Sequence, residues 1–226
     1  MADIFSPAML DMFGQGIVDT VVVTLLSTLI SYAIGLPLGV VLYCTSPDGI
    51  SPNRSVNAVI GFIVNILRSI PFIILLVMTQ PLAKITVGTM IGNTAFIFHL
   101  VLAAAPYVAR MVESSLLEVD RGVLEAAQSM GSTQLQMIWK VILPEAKPSL
   151  IIGSAIAITT ILGYTPMTYL VAGGGLGQIA ISYGLYRSQE TIMYIASLLL
   201  IVLVQITQVG LGHIAKVCDK RIRSKG

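Results

Sequence analysis

Glu125-Ala-Ala-Gln-Ser-Met-Gly131, then nine residues, then Val141-Ile-Leu-Pro144, is a polar stretch in a chain otherwise built to sit in lipid. It interrupts two apolar runs over a length sufficient for a surface, and its shape suggests a docking surface for a soluble partner. An ordinary loop would need no such order. The local chemistry predicts two short helices joined by a turn. Gly131 suits a left-handed residue closing the first helix, because it has no Cβ to clash there. Thr133 with Gln136 fits a capping box that opens the second. Leu135, Ile138, Trp139 and Ile142 recur at helical spacing and predict one apolar face. Pro144 is expected to stop that helix, and Pro148 to sit in the first turn of the next. Ala126 and Ala127 are small enough to let a partner's walls approach the backbone, and Glu125 beside them offers an orienting charge.

Composition sets the class around this stretch. Of 226 residues, 55% are apolar and 11% charged. A soluble domain of this length cannot hide so much apolar surface, so the chain reads as an integral membrane protein. A net charge of +2 is too small to argue for nucleic acid. Cys44 and Cys218 fall near predicted cytoplasmic span ends, where free thiols are expected rather than a disulfide framework.

About 20 apolar helical residues cross a bilayer core, and helices are the default spanning element because lipid cannot satisfy backbone polar groups. The charge-poor runs predict an all-α protein with five transmembrane helices near 18–45, 56–80, 87–110, 148–171 and 190–215. Residues 1–17 read as an external segment, 112–147 as a cytoplasmic segment between the third and fourth spans, and 216–226 as a basic cytoplasmic tail. Orientation follows from charge: Asp3, Asp11 and Asp19 precede or open the first span without any lysine or arginine. Lys216, Lys220, Arg221, Arg223 and Lys225 close the chain. The N-terminus is therefore expected outside and the C-terminus inside. The acidic start argues against a cleaved signal peptide.

Glu125, Ala126, Ala127, Gly131, Leu143 and Pro144 resemble the Glu-Ala-Ala signature of binding-protein-dependent ABC importer permeases, with Val141 where that family usually has isoleucine. More narrowly, Asn65 to Leu76, Ala105-Pro-Tyr-Val-Ala-Arg-Met-Val-Glu113 and Ala172-Gly-Gly-Gly-Leu-Gly-Gln178 look like the methionine-uptake branch, which has five spans. Pro166 within Gly163-Tyr-Thr-Pro-Met167 departs from that branch's small residue. The resemblance implies a type I importer permease fold and a coupling helix, at the six signature residues, that seats in a groove of a cytoplasmic ATPase. It also implies that ATP and magnesium are bound by that ATPase, with no cofactor in this chain. Implied partners are two ATP-binding subunits and an external substrate-binding lipoprotein, in a bacterial cytoplasmic membrane. The implied substrate is methionine, as the D- and L-forms.

Away from the span ends, Arg68 is the one formal charge within the spans. Its cost at mid-bilayer is about 2.5–3.5 kcal/mol on insertion scales, so it is expected to face protein or water. Pro71 frees carbonyls that its guanidinium would satisfy. Arg68 reads either as an element of the permeation interface or as a brace against a neighbouring span. His99, without metal-ligand neighbours, reads as a hydrogen-bonded packing residue. Gly173, Gly174, Gly175 and Gly177 mimic a dinucleotide-binding spacing, but that fingerprint needs a preceding strand and a cytoplasmic position. They read instead as a tight external turn and a re-entrant or gate-forming segment, which the resemblance places toward the binding protein, or as a flexible connection. Tyr164 and Met167 just ahead offer an aromatic ring and a soft thioether that suit a thioether in transit, or plain packing. Gly35 and Gly39, four apart, predict close helix packing.

Three classes of function fit a membrane chain of this kind. An intramembrane enzyme is disfavoured, since no His-Glu-x-x-His, aspartate dyad or serine–histidine arrangement is present. A secondary carrier working without an ATPase would commonly bury acidic groups, and it leaves the Glu125–Pro144 stretch without a role. A translocation subunit without catalysis of its own remains. Five spans are few to enclose a path, so two copies are expected to form it on a two-fold axis.

Overall fold

The computed structural model describes residues 6–218, and among these every regular element is helical. Asp3 and the tail from residue 219 onward lie outside the described residues. In chain order the elements are α1 (Pro7–Thr45), α2 (Arg54–Ser69), α3 (Phe72–Met78), α4 (Gln80–Val87), α5 (Gly92–Leu117), α6 (Arg121–Ser129) and α7 (Gln134–Gln136). A π-helical stretch, Met137–Ile142, leads into α8 (Leu143–Glu145) and α9 (Lys147–Tyr164). A 3-10 stretch, Thr165–Val171, then precedes α10 (Leu176–Gly184) and α11 (Glu190–Cys218). Four helical segments are long and apolar enough to cross a membrane, and a fifth arises when α2 and α3 are taken as one broken span. The five-span expectation therefore stands, with changed boundaries.

Those boundaries differ for physical reasons. The first helix starts at Pro7 rather than near 18, because proline at a first helical position wastes no hydrogen bond. At 39 residues α1 is roughly 58 Å long, well beyond one bilayer core. The second span is not one helix from 56 to 80: Pro71, at ψ 136°, lies outside the helical region and separates α2 from α3. The third runs to Leu117 rather than 110, which puts Arg110 inside a helix.

Two compact units divide the described contacts, and the long helices contribute to both. One unit takes the chain up to Ile30, Ile70–Ala104 and Ile158–Gln208. Its core holds Val23, Phe72, Leu76, Phe96, Leu100 and Ile161 in one cluster, and Phe13, Leu176, Ile179, Ile192 and Ala196 in a second. His99 is fully buried here with Nδ1 2.8 Å from Thr79 Oγ1, which is the packing role expected of it.

The other unit comprises Ser31–Ser69, Ala105–Ala157 and the chain from Val209. In it Gly35 and Gly39 let α1 lie directly on α5. A Cβ at Gly35 would stand 2.8 Å from the Ala105 carbonyl oxygen, and one at Gly39 2.5 Å from that of Ala109. This is the close packing their spacing predicts; in lipid such contact area, rather than exclusion of water, holds helices together. Cys44 is buried in this core as a free thiol.

Candidate functional site

The Glu125–Pro144 stretch is built from local chemistry. Asp120 caps α6 by accepting the Gly122 N–H at 2.7 Å. Gly131, at φ +76°, closes the same helix: its N–H donates to Gln128 O and the Ser132 N–H donates to Ala127 O. That pair of bonds is a Schellman closure, and nothing lies within 4 Å of where a Cβ at Gly131 would stand. The requirement at Gly131 is therefore conformational and not one of space. Thr133 and Gln136 form the reciprocal capping box, with Thr133 N–H to Gln136 Oε1 at 2.9 Å and Gln136 N–H to Thr133 Oγ1 at 3.3 Å.

Several expectations for this stretch need correction. Pro144 does not stop the second helix. The chain winds through it, because the preceding turn opens into a π-helix in which the Leu143 N–H donates to Ile138 O, five residues back. A proline ring clashes with the carbonyl four residues earlier, and a wider turn accommodates it. That turn also rotates the apolar face. Met137, Ile142 and Ala146 point into the core, while Leu135 and Trp139 are about two-thirds exposed. Ala127 is likewise buried, packed with Val112, Leu116 and Val119, so it cannot lend its small size to a partner. Glu125 and Ala126 are exposed, as is Pro144, and Leu143 is half-buried. Pro148 sits in the first turn of α9 as expected. Beside this stretch a cleft of about 250 Å³ is lined by Ser115, Glu118, Glu145, Pro148 and Ser149.

In the other unit the glycines of the 173–177 turn are packed and not a flexible connection. Gly173, Gly175 and Gly177 are buried. A Cβ at Gly177 would meet the Pro166 backbone at 2.5 Å, and one at Gly174 would overlap the Asp19 carboxylate. Gly175 adopts φ +116°, a conformation open in practice to glycine. The Gly174 N–H donates to Asn93 Oδ1 at 2.7 Å. Pro166, the departure noted in the sequence, is thus the surface on which Gly177 closes. Tyr164 and Met167 are partly buried against the Phe72 cluster, and the Tyr164 ring stacks on Phe72 at 4.6 Å. Phe72 follows the α2–α3 break directly, a participant that sequence spacing did not mark.

Arg68 does not brace a neighbouring helix. It is exposed, and among the described residues its guanidinium has no hydrogen bond or ion pair, so the carbonyls freed by Pro71 do not hold it. Among the described residues, the arginine that does bond across helices is Arg110. Its Nη1 donates to Glu113 Oε2 at 2.7 Å, and its Nη2 donates to Gly61 O at 3.2 Å and Asn65 Oδ1 at 3.1 Å. Placing the third span's end at residue 110 hid it; the three-residue spacing to Glu113 was the available signal.

With this geometry in hand, the chain can be set beside known proteins. Residues 35–223 match the family of binding-protein-dependent transport system inner membrane components. The chain belongs to that family. Its relatives include a probable D-methionine transport system permease protein, MetI, of Vibrio cholerae. That protein is 49% identical over 79% of this chain and 80% of its own length. The corresponding protein of Pasteurella multocida is 38% identical over 96% of this chain and 100% of its own. Among solved structures, a chain of the inward-facing MetNI methionine ABC transporter superposes with a TM-score of 0.93 at 41% identity, covering 96% of this chain and 100% of that one. An amino acid ABC transporter crystallised with histidines shares the fold, with a TM-score of 0.72 at 20% identity over 98% and 99% of the two chains.

Proposed function

We propose that this chain is the membrane-spanning subunit of an ATP-driven importer that carries methionine, in its D- and L-forms, across a bacterial cytoplasmic membrane. The observation that carries this reading is the near end-to-end likeness, at 41% identity, to a chain of a methionine ABC transporter. The docking stretch supports it from within: the capped helix α6 presents Glu125 and Ala126 outward and turns Ala127 into the core.

Two copies of the chain form the path about a two-fold axis, and each offers α6 to one ATP-binding subunit. ATP and magnesium belong to those subunits, and an external binding lipoprotein delivers the substrate. Closure of the ATPase pair displaces the α6 helices, and the spans pass from inward-open to outward-open. The N-terminus lies outside and the basic tail in the cytoplasm. Arg68, the 173–177 turn, Tyr164 and Met167 contribute to the path or its gate.

The test is reconstitution. The chain purified with its ATPase subunit, placed in vesicles with the binding protein, should take up labelled methionine only when ATP is supplied. A panel of other labelled amino acids should enter far more slowly. Uptake without ATP, or failure of any ATPase subunit to copurify, overturns the reading.

A further inference from the structure

α2 is held to its unit by little apolar contact. Of its 16 residues only Gly61 and Val64 are buried, against Leu42 and Ala109. Ile60 and Leu38 pack beside them, and polar ties add to this small contact. At one end Asn57 Nδ2 donates to the last turn of α1, at Leu42 O, 2.8 Å away. Further along, Arg110 of α5 reaches over to Gly61 O and Asn65 Oδ1. Gly61 makes room for this, because a Cβ there would stand 3.1 Å from Arg110 Nη2. Glu113 fixes the guanidinium from the α5 side, with the pair only 26% and 13% exposed.

α5 is bound in turn to the docking stretch. Val112, Leu116 and Val119 share one core with Ala127, Met137, Ile142 and Ala146. Three residues separate the end of α5 from α6. A push on α6 is thus delivered to α5 through packed side chains, which transmit displacement because interiors are nearly incompressible. α2 has less of such packing, Val64 and Ile60 lying with Leu38, Leu42 and Ala109, and Arg110 adds the charged tie to α5.

We propose that Arg110, oriented by Glu113, is a positioning residue for transport: it makes α2 move with the body that carries the docking helix. This rests on the importer reading for its source of motion.

The test uses the whole complex with its ATPase subunits. Spin labels at Phe62→Cys and Leu117→Cys, both exposed positions, report the α2–α5 distance without nucleotide and with ATP trapped. With Arg110 present the distance should be the same in both states. In Arg110→Gln it should broaden or shift when ATP is trapped, and methionine taken up per ATP hydrolysed should fall. A nucleotide-dependent distance in the protein that keeps Arg110 overturns the proposal, even if Arg110→Gln fails to assemble. So does an Arg110→Gln complex with unchanged distance and unchanged uptake per ATP. If ATP drives no methionine uptake in the unlabelled complex, the importer reading fails, while the label distances still decide on Arg110.

Discussion

The Leu176 N–H donates to Thr20 Oγ1 at 2.9 Å across 156 residues of sequence, while the same hydroxyl donates to Gly16 O at 2.7 Å. One side chain thus satisfies the first free amide of α10 and ties the glycine turn to α1. Thr20→Val keeps the shape but leaves that amide buried without a partner, at a cost of about 1–3 kcal/mol. The purified complex should unfold at a lower temperature, whereas Thr20→Ser should unfold close to the unmodified protein. Equal midpoints for both would mean the hydroxyl does not hold the turn.

The contact of α1 with α5 should tolerate no side chain at Gly39. The Ala109 carbonyl that a new Cβ would meet is backbone and cannot rotate away. Gly39→Leu is expected to cost at least the roughly 1–3 kcal/mol of overpacking, and to lower the yield of folded protein in the membrane. Gly14, which has open space around it, should accept alanine without loss of yield.

At Gly131 the prediction concerns coupling. The left-handed conformation costs a β-branched residue about 1–2 kcal/mol, with no steric clash added. Gly131→Val should therefore insert and dimerise but misplace the turn after α6. Substrate-stimulated ATP hydrolysis and uptake should be lost, with basal hydrolysis by the free ATPase retained. Glu125→Lys, exposed and reversed in charge, should do the same. Unmodified transport by both would reduce the stretch to a connecting loop.

For Arg68 the expected outcome is a split between folding and transport. With no partner to lose among the described residues, Arg68→Ala should shift stability by no more than about 0.5 kcal/mol. Dimer and ATPase association should persist while uptake falls. Reduced folded protein would restore the bracing role, and unchanged uptake would remove the residue from the path.

Orientation can be read chemically. In a chain with Cys44 and Cys218 replaced, Asp3→Cys should react with a membrane-impermeant maleimide in intact cells and Ser224→Cys should not. The reverse pattern would put α6 on the side away from ATP and overturn the importer reading.

Much of this was legible in the sequence, and particular residues show why. The cap at Gly131, the Thr133–Gln136 box and the turn placement of Pro148 depend on neighbours within a few positions, so spacing alone announces them. The contact made by Gly35 and Gly39 could be anticipated because a four-residue glycine spacing has one strong use in lipid. Arg68 and Arg110 show the opposite. Sequence hydropathy marked the first as special and passed over the second, although the second makes the cross-helix bonds.

By itself the sequence determined the class: a helical membrane protein with a capped polar segment and the signature of a transport-system membrane component. Apolar runs of about 20 residues cross lipid as helices, whose backbone bonds are all internal, and caps act over one turn. Only the tertiary structure decided which face of each element is used. Ala127 turned inward, Trp139 outward, the π-turn carried the chain through Pro144, and Gly177 met Pro166. Each of these depends on atoms brought together by packing, among them Gly61 and Arg110 at 49 residues apart, and local periodicity carries no information about a partner at that distance.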